Sequence, residues 1–506
     1  MLDYTGRPRV AATAILLALT VTAPAGAQTM SAAAAWAGLN SLALGAGLSI
    51  TSGSVANNGD TVTASGVRIF PTNDPNGVVV SMDTLTLQPR GELMALIPSP
   101  MFQVTTQTGG NQTRTVEVTH DGEILGMLTE QNAALDLNFP TLTAHLVPSA
   151  APPATIKGTP QASADPMRVD VTINALDASL RAAREGTAEL TIDAASVSYD
   201  LVYPDPANET GGMITQSGVQ TAPHLTFTGT ELDMLSGDDG MLRAAFDAGM
   251  AMSLNFTVQA SQQSSRQSMG TTPLAMNTQG GASDFTITVA DGRADITGSA
   301  DAFALSGNFG PMQGAAQLAG MTMAFGAPLV VTSDDQLFRY MVSLDGLQPS
   351  PELLAMVGAS QFAGDAVTMT VDLSADGHLT REIGPDFGEG DTPPLDISRV
   401  RLDDLRLAVG DSEFTGDGAV TLLGGLMGQI GRDRPNADGD FTFDLVGGER
   451  LLNRLQSMGL VPADQLFFVR MMINGLGRSI GEDHLQSEVA IRPGGAITVN
   501  GAPLPF

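Results

Sequence analysis

The sequence predicts a mainly β protein: a large antiparallel sheet, curved or sandwich-like, with a few short helices, two of them near the C-terminus. Three observations carry that prediction. Apolar residues recur at every second position over many short runs, which is the spacing of a half-buried strand. Turn-forming pairs, among them Asn58-Gly59, Asp121-Gly122, Asp291-Gly292, Asp376-Gly377 and Asp417-Gly418, fall between or beside those runs, and such pairs tolerate the positive φ that tight hairpins need. The composition, with 57 glycines, 15% charged and 5% aromatic residues in 506, lacks the Glu, Lys and Arg that dress long surface helices.

Taken in order, Met1 to Ala27 has the form of a cleavable secretory signal. Arg7 and Arg9 give a positive start, Val10 to Thr22 an apolar core, and Ala25-Gly26-Ala27 a small-residue cleavage site. That core is short of the roughly 20 residues a membrane span takes, and no later run approaches one. The mature chain is expected to begin at Gln28 and to act in the periplasm. It has no cysteine, so its stability in an oxidising compartment must come from burial.

Ser31 to Leu48 is Ala-rich, carries the single tryptophan Trp36, and reads as a helix with Ser31 as its N-cap. From Ser49 the period becomes two. Val62 to Ile69, Val78 to Leu87, Val116 to Val118, Leu135 to Phe139, Val169 to Ile173 and Leu190 to Tyr203 read as strands. Pro148 to Pro166, rich in Pro, Ala and Ser, reads as a linker, and Gln259 to Ser283, polar and without alternation, as a second one. The boundary is set there, giving halves 28–260 and 261–506. Short helices are expected at Met241 to Met250 and Pro351 to Val357. No fixed period of 20 to 50 residues links the runs, so the familiar solenoid repeats are not supported.

About twenty strands at 4.8 Å spacing would make a flat sheet near 100 Å wide, which must curl, split or close. Alternation gives it one dry face and one wet face. The predicted helices are too few to cover the dry face.

The C-terminal stretch Leu395 to Phe506 predicts three strands (Val400 to Val409, Glu413 to Leu423, Phe441 to Leu445), two helices (Gly448 to Met458, Pro462 to Leu476) and a closing hairpin. The first helix places Leu451, Leu452, Leu455 and Met458 on one face and stops at Gly459. The second is apolar nearly all round and should be covered on several sides, as a plug at the end of a β core. Its Phe467, Phe468, Met471, Met472 and Ile473 form the candidate surface for an apolar ligand or a partner.

Reaction chemistry is weakly supported. Gly477-Arg478-Ser479-Ile480-Gly481 matches G-x-S-x-G, but that motif works only where a strand delivers the serine and a helix follows. Here a helix precedes it, so a serine hydrolase is the least favoured class. The five histidines His120, His145, His224, His378 and His484 are widely spaced, without metal-ligand intervals. Asn436, Asp438 and Asp440 alternate like a calcium loop whose remaining ligands are missing, and read as a polar hairpin turn. Asp386 to Asp391 reads as a solvated acidic loop. No catalytic residue, cofactor or metal is implied. The formal charge of −30 repels phosphate, which makes nucleic acid and anionic headgroups poor candidate partners.

Three stretches carry a family resemblance: Trp36 to Ile69 with Gly59-Asp60; Leu344 to Leu373, which opens Leu-Asp-Gly-Leu-Gln-Pro; and Leu402 to Leu504 with Val446-Gly447-Gly448, Met458-Gly459-Leu460 and Val499-Asn500-Gly501. In these the chain resembles the uncharacterised alphaproteobacterial family called domain of unknown function 2125. Its closing stretch is similar to the C-terminal part of AsmA-like envelope proteins. That resemblance implies a long curved β-sheet associated with lipids, and it transfers no residue roles. The expectation is a non-enzymatic cell-envelope protein that binds a lipid or other amphiphile in an apolar groove, with a structural or self-associating surface protein as the alternative.

Overall fold

A computed structural model describes residues 31–45, 47–75, 77–108, 112–128, 132–148, 167–183, 186–205, 212–231, 242–269, 272–309, 312–383, 393–432 and 434–504. The signal segment Met1–Ala27, nearly all of the linker expected at Pro148–Pro166 and the acidic run Asp386–Asp391 lie outside them. The chain forms two compact units, one of residues 1–236 and 249–275, the other of residues 237–248 and 276–506.

The first unit opens with α1 (Ala32–Gly45), β1 (Leu48–Thr51), β2 (Ser54–Asn58), β3 (Thr61–Pro71) and β4 (Val78–Arg90). Next come β5 (Leu93–Pro98), β6 (Met101–Thr108), β7 (Gln112–His120), β8 (Glu123–Leu128) and β9 (Asn132–Val147). It is completed by β10 (Arg168–Ala183), β11 (Thr187–Asp193), β12 (Ser196–Pro204), β13 (Met213–Thr221), β14 (His224–Thr230), β15 (Ala251–Val258) and β16 (Ala260–Met269). Ser31 caps α1 as expected, its Oγ accepting the Ala34 N–H at 3.2 Å. The helix buries Ala32, Ala35, Leu39 and Leu42 against Val62, Ala64 and Val67 of β3 and Leu85 and Leu87 of β4.

The long strands of this unit are each interrupted once, and the interruptions line up. They fall at Gly66 in β3, Asp83-Thr84 in β4, Pro140 in β9 and Ala175 in β10. Between strands they fall at Ser99-Pro100, Asp121-Gly122, Ala194-Ala195 and Ala222-Pro223. No residue is inserted between β9 and β10, where Asn174 stands opposite Thr141 and Leu176 opposite Phe139 in one register, yet the apolar positions change parity there. In β10 the apolar side is Val169, Val171 and Ile173 before Ala175, then Leu176, Ala178 and Leu180 after it. Ala175 and Ala222 take the change with positive φ, 49° and 46°, a conformation that costs a residue with a Cβ on the order of 1 kcal/mol.

Two sequence readings are corrected in this region. Asp121-Gly122 is not a hairpin: β7 and β8 run on past it along the same partner, β9. Nor is Gln259 to Ser283 a linker, because it holds β16 and β17 (Thr272–Gly280). Its Gln and Ser side chains cross-pair in β16 with the polar residues of β13, so main-chain bonding forms a strand there without an apolar stripe.

The second unit contains α2 (Leu242–Asp247), β18 (Ser283–Ala290), β19 (Arg293–Phe309), β20 (Met312–Pro328), β21 (Gln336–Pro349), α3 (Pro351–Met356), β22 (Val367–Leu379), β23 (Leu395–Val409) and β24 (Ser412–Leu422). It ends with β25 (Ala437–Val446), α4 (Gly448–Ser457), α5 (Ala463–Leu476), β26 (Arg478–Gly481), β27 (His484–Arg492), β28 (Ala496–Val499) and β29 (Ala502–Pro503). From β18 to β25, and on through β27 to β29, each strand pairs antiparallel with the next. This is one continuous sheet and not two packed ones. Asp291-Gly292 is the two-residue turn expected between β18 and β19, with φ of 52° and 71°. Asp376-Gly377 and Asp417-Gly418, by contrast, lie inside β22 and β24. A Cβ on Gly377 or Gly418 would sit 2.4 or 2.5 Å from a carbonyl of the adjacent strand, so these glycines serve close strand approach.

Candidate ligand-binding surface

Register places the apolar residues of the second unit's sheet in rows that cross the strands. One row runs Met321, Leu344, Met369, Leu407, Phe414, Leu445, Leu485; the next runs Met323, Val342, Val371, Leu405, Gly416, Phe443, Ser487. A third joins Phe325, Tyr340, Leu373, Leu402, Gly418, Phe441 and Val489. With β19 the rows span eight strands, about 34 Å at the usual interstrand spacing. The two glycines are part of the surface. A Cβ on Gly416 would collide with the Phe443 ring at 2.4 Å, so the glycine lets that ring lie flat on the sheet, stacked on Phe414 at 5.8 Å between centroids.

The opposite face is laced with charge. Arg339 meets Asp372 at 3.1 Å, Arg406 meets Glu413 at 2.6 Å, His484 meets Asp444 at 2.9 Å, and Arg401 grips Asp376 through two nitrogens. The Arg401 hydrogen bond holds the Asp376 carboxyl below its ordinary range, and the same bond raises Arg401. Asp335 is likewise lowered, first by the Ser398 hydroxyl and then by His378. One face is therefore built for water. The other is apolar and only half-buried, with Phe325, Tyr340 and Leu407 exposed.

The helices cover only its margin. Leu353 of α3 sits over Gly314. α4 packs beside β24 with Leu452 buried, and it stops at Gly459 (φ 73°) as the sequence reading expected. The C-terminus of α5 is pinned by the Ser487 hydroxyl and the Asn500 amide, both donating to the Leu476 carbonyl at 2.7 Å.

The expected covering of α5 is not there. Of its described side chains only Leu466 is buried, while Phe467 is 74%, Phe468 56%, Met471 54% and Met472 49% exposed. Ile473 does not belong with them: it is partly buried, and at about 100° per residue it falls on the side of Leu466. The nearly all-round apolarity of α5 thus divides into an inner side and an unpartnered outer stripe. The sequence showed the residues but not the division.

The catalytic candidates dissolve on geometry. Ser479 sits on β26 with α5 ahead of it and a hairpin after it, the reverse of a strand-serine-helix elbow. It pairs with Leu485, hence on the face opposite His484, and its hydroxyl donates to the Gly481 carbonyl at 3.2 Å. Asp438 and Asp440 lie on β25, not in a hairpin turn, and both are held by Arg492 at 3.2 and 2.7 Å. Among the described residues no group of three acidic or histidine side chains converges as a metal site, and no helix is long and apolar enough to cross a membrane.

Comparison with protein-family models, with characterised proteins and with solved structures returns no match. The functional reading therefore stands on the surfaces themselves.

Proposed function

We propose that this chain is a non-enzymatic, periplasmic component of the cell envelope that binds a lipid or other amphiphile on the dry face of the second unit's sheet. The observation that carries the proposal is the set of three apolar rows, eight strands wide, across which no helix of the described residues is laid. Contiguous apolar areas beyond a few hundred Å² on a soluble surface mark binding sites, and rows of about 34 Å match the scale of extended hydrocarbon. The Met and Phe content of the rows suits a ligand of variable shape, since thioethers repack readily. The polar opposite face, with its arginine–carboxylate pairs, keeps that side in water.

Purifying the protein under native conditions and identifying bound lipid by mass spectrometry tests the reading. Bound amphiphile is expected from the wild type and is expected to fall severalfold in Phe325→Asp/Leu407→Asp, whose side chains are exposed and whose folding should survive. A wild type that never carries or takes up an amphiphile, or a double variant that carries as much, sinks it.

A further inference from the structure

We infer that the outer edge of the first unit's sheet, formed by β1 and β2, is an interface to which a second copy of this chain adds its own β1 and β2, antiparallel and about a twofold axis. Both strands pair with β3 on one side, and among the described residues no strand pairs with them on the other. An open edge is a template for another strand, and proteins ordinarily guard it with charge, proline or a very short strand. The second unit's outer edge is guarded in this way: β29 is two residues long and ends in Pro503, and next to it the Leu504 N–H donates to the Ile497 carbonyl at 2.9 Å. β1 and β2 have no such guard. No charged side chain occurs from Ser31 to Gly59, in a chain with 54 acidic and 24 basic residues, and β2 is exposed at every position.

Register tells which main-chain groups face outward. The Thr72 N–H donates to the Gly47 carbonyl at 2.8 Å, so Gly47, Ser49 and Thr51 are the positions hydrogen-bonded to β3, because bonded and non-bonded pairs alternate. Pro71, which has no N–H, accordingly stands opposite Leu48, a non-bonded position. In β2 the two-residue turn Gly59-Asp60 makes Asn58 a bonded position, followed by Ala56 and Ser54. The main-chain groups of Leu48 and Ile50 therefore point outward from β1, and those of Val55 and Asn57 from β2. The outward set is even-numbered before Ser52-Gly53 and odd-numbered after it, the same change of parity that crosses the other strands of this unit.

That change selects the occupant. A straight strand can follow β1 or β2 but not both, since its own inward-facing groups alternate without a break. A second copy carries the same break. Placed antiparallel about Ser52-Gly53, it sets Leu48 opposite Asn57 of the second copy and Ile50 opposite Val55, and the reverse. All four outward positions of each copy then find a hydrogen-bonded partner, about eight bonds in all. Faces match as well: Ile50 and Val55 lie on the side of Ile69 and Ala64, which belong to the core, so the two dry faces continue on one side. Two chains of formal charge −30 repel one another, and an edge without charged side chains is where that repulsion is least. The contact is shorter than the about 20–30 residues a side of a large interface, which makes the dimer reversible.

The test is sedimentation equilibrium of the full chain over a wide range of concentration, with cross-linking to read the register. The wild type is expected to form a concentration-dependent dimer. Val55→Pro removes an outward N–H and no bond to β3, and should weaken the dimer about tenfold or more, since main-chain bonds supply the affinity of added strands. Ser54→Asp/Ala56→Asp should do the same through like charge, with thermal unfolding unchanged because both positions are exposed. The chain has no cysteine of its own, so Ser49→Cys/Ala56→Cys gives a clean readout. These positions would face each other across the interface as a non-bonded pair, about 4.5 Å between Cα atoms, within disulfide reach. The double variant should give a disulfide-linked dimer under mild oxidation, and neither single variant should. A wild type that stays monomeric, whatever other strand it captures, overturns the inference. So does a dimer undiminished in both edge variants, or one that Ala56→Cys alone cross-links as well as the pair. Amphiphile carried on the second unit's sheet is a separate readout, and the edge variants should retain it.

Discussion

The two units use the same kind of sheet and finish it differently. In the first, α1 lies across β3 and β4, and Leu87 and Val67 are wholly buried beneath it. In the second, residues of equal apolarity at equivalent alternating positions, such as Leu407 and Phe325, stay exposed, and among the described residues no helix crosses them. Alternation along a strand thus specifies that a face is dry without specifying what dries it. The cover comes from a segment elsewhere in the chain. Where it is missing, the unburied area remains available to a ligand, at the expense of the stability that burial would give, roughly 25 cal/mol per Å².

The contrast can be broken most directly by equal truncations on the two faces. Leu87→Ala should cost about 2–5 kcal/mol, read from urea unfolding by the fluorescence of Trp36, which packs against that core. Leu407→Ala should cost under about 1 kcal/mol, read from hydrogen exchange across β23. A similar cost at both sites would mean that something does cover the second face. Next in size, Ser350→Ala removes the N-cap of α3, whose hydroxyl oxygen accepts from the Leu353 N–H. A loss of about 1 kcal/mol, confined by hydrogen exchange to that margin of the second unit, would sharpen the picture of a sheet stabilised at its edges.

The smallest effect concerns acid. Asp376 has its carboxyl lowered by Arg401, so its contribution is fully present above the unfolded value near 4 and is lost as pH falls through the lower folded value. Both side chains are partly exposed, which keeps this to about 0.5 kcal/mol. Asp376→Asn should lose that contribution of about 0.5 kcal/mol at neutral pH, where the pair is intact, and should flatten the acid dependence of β22–β23 exchange below about pH 4.

Much of this was legible in the sequence. The five α-helices of the described residues stand in the stretches expected to be helical, with Ser31 ahead of α1 and Gly459 behind α4 as the boundary residues foreseen. The strands named from alternation are all present. What alternation could not convey was its own interruption. Leu190 to Tyr203 reads as one run, yet its apolar residues are even-numbered in β11 (Leu190, Ile192) and odd-numbered in β12 (Val197, Tyr199, Leu201), with Ala194-Ala195 between. Strand β16 was missed because its ladder is made by main-chain bonds and polar side chains. The glycines at 377 and 418 look like turn residues because a turn and a close strand approach both need a missing Cβ. The apolar residues of α5 were read correctly as a set, but their split into an inner and an outer side depends on where the helix is pinned at Leu476, a contact with residues Ser487 and Asn500 further along the chain.

The aligned interruptions in the first unit have a consequence for how its strands tolerate change in length. Each long strand is read in two frames separated by a spacer, as Ala175 separates Ile173 from Leu176. Deleting the spacer would merge the frames and turn one half's core residues, Leu176, Ala178 and Leu180, out to water, although no apolar residue had been removed. Substitution anywhere along such a strand alters one contact, whereas a gain or loss of one residue rewrites half of it. The length of each half-strand is thus as much a determinant of this fold as the identity of the residues it carries.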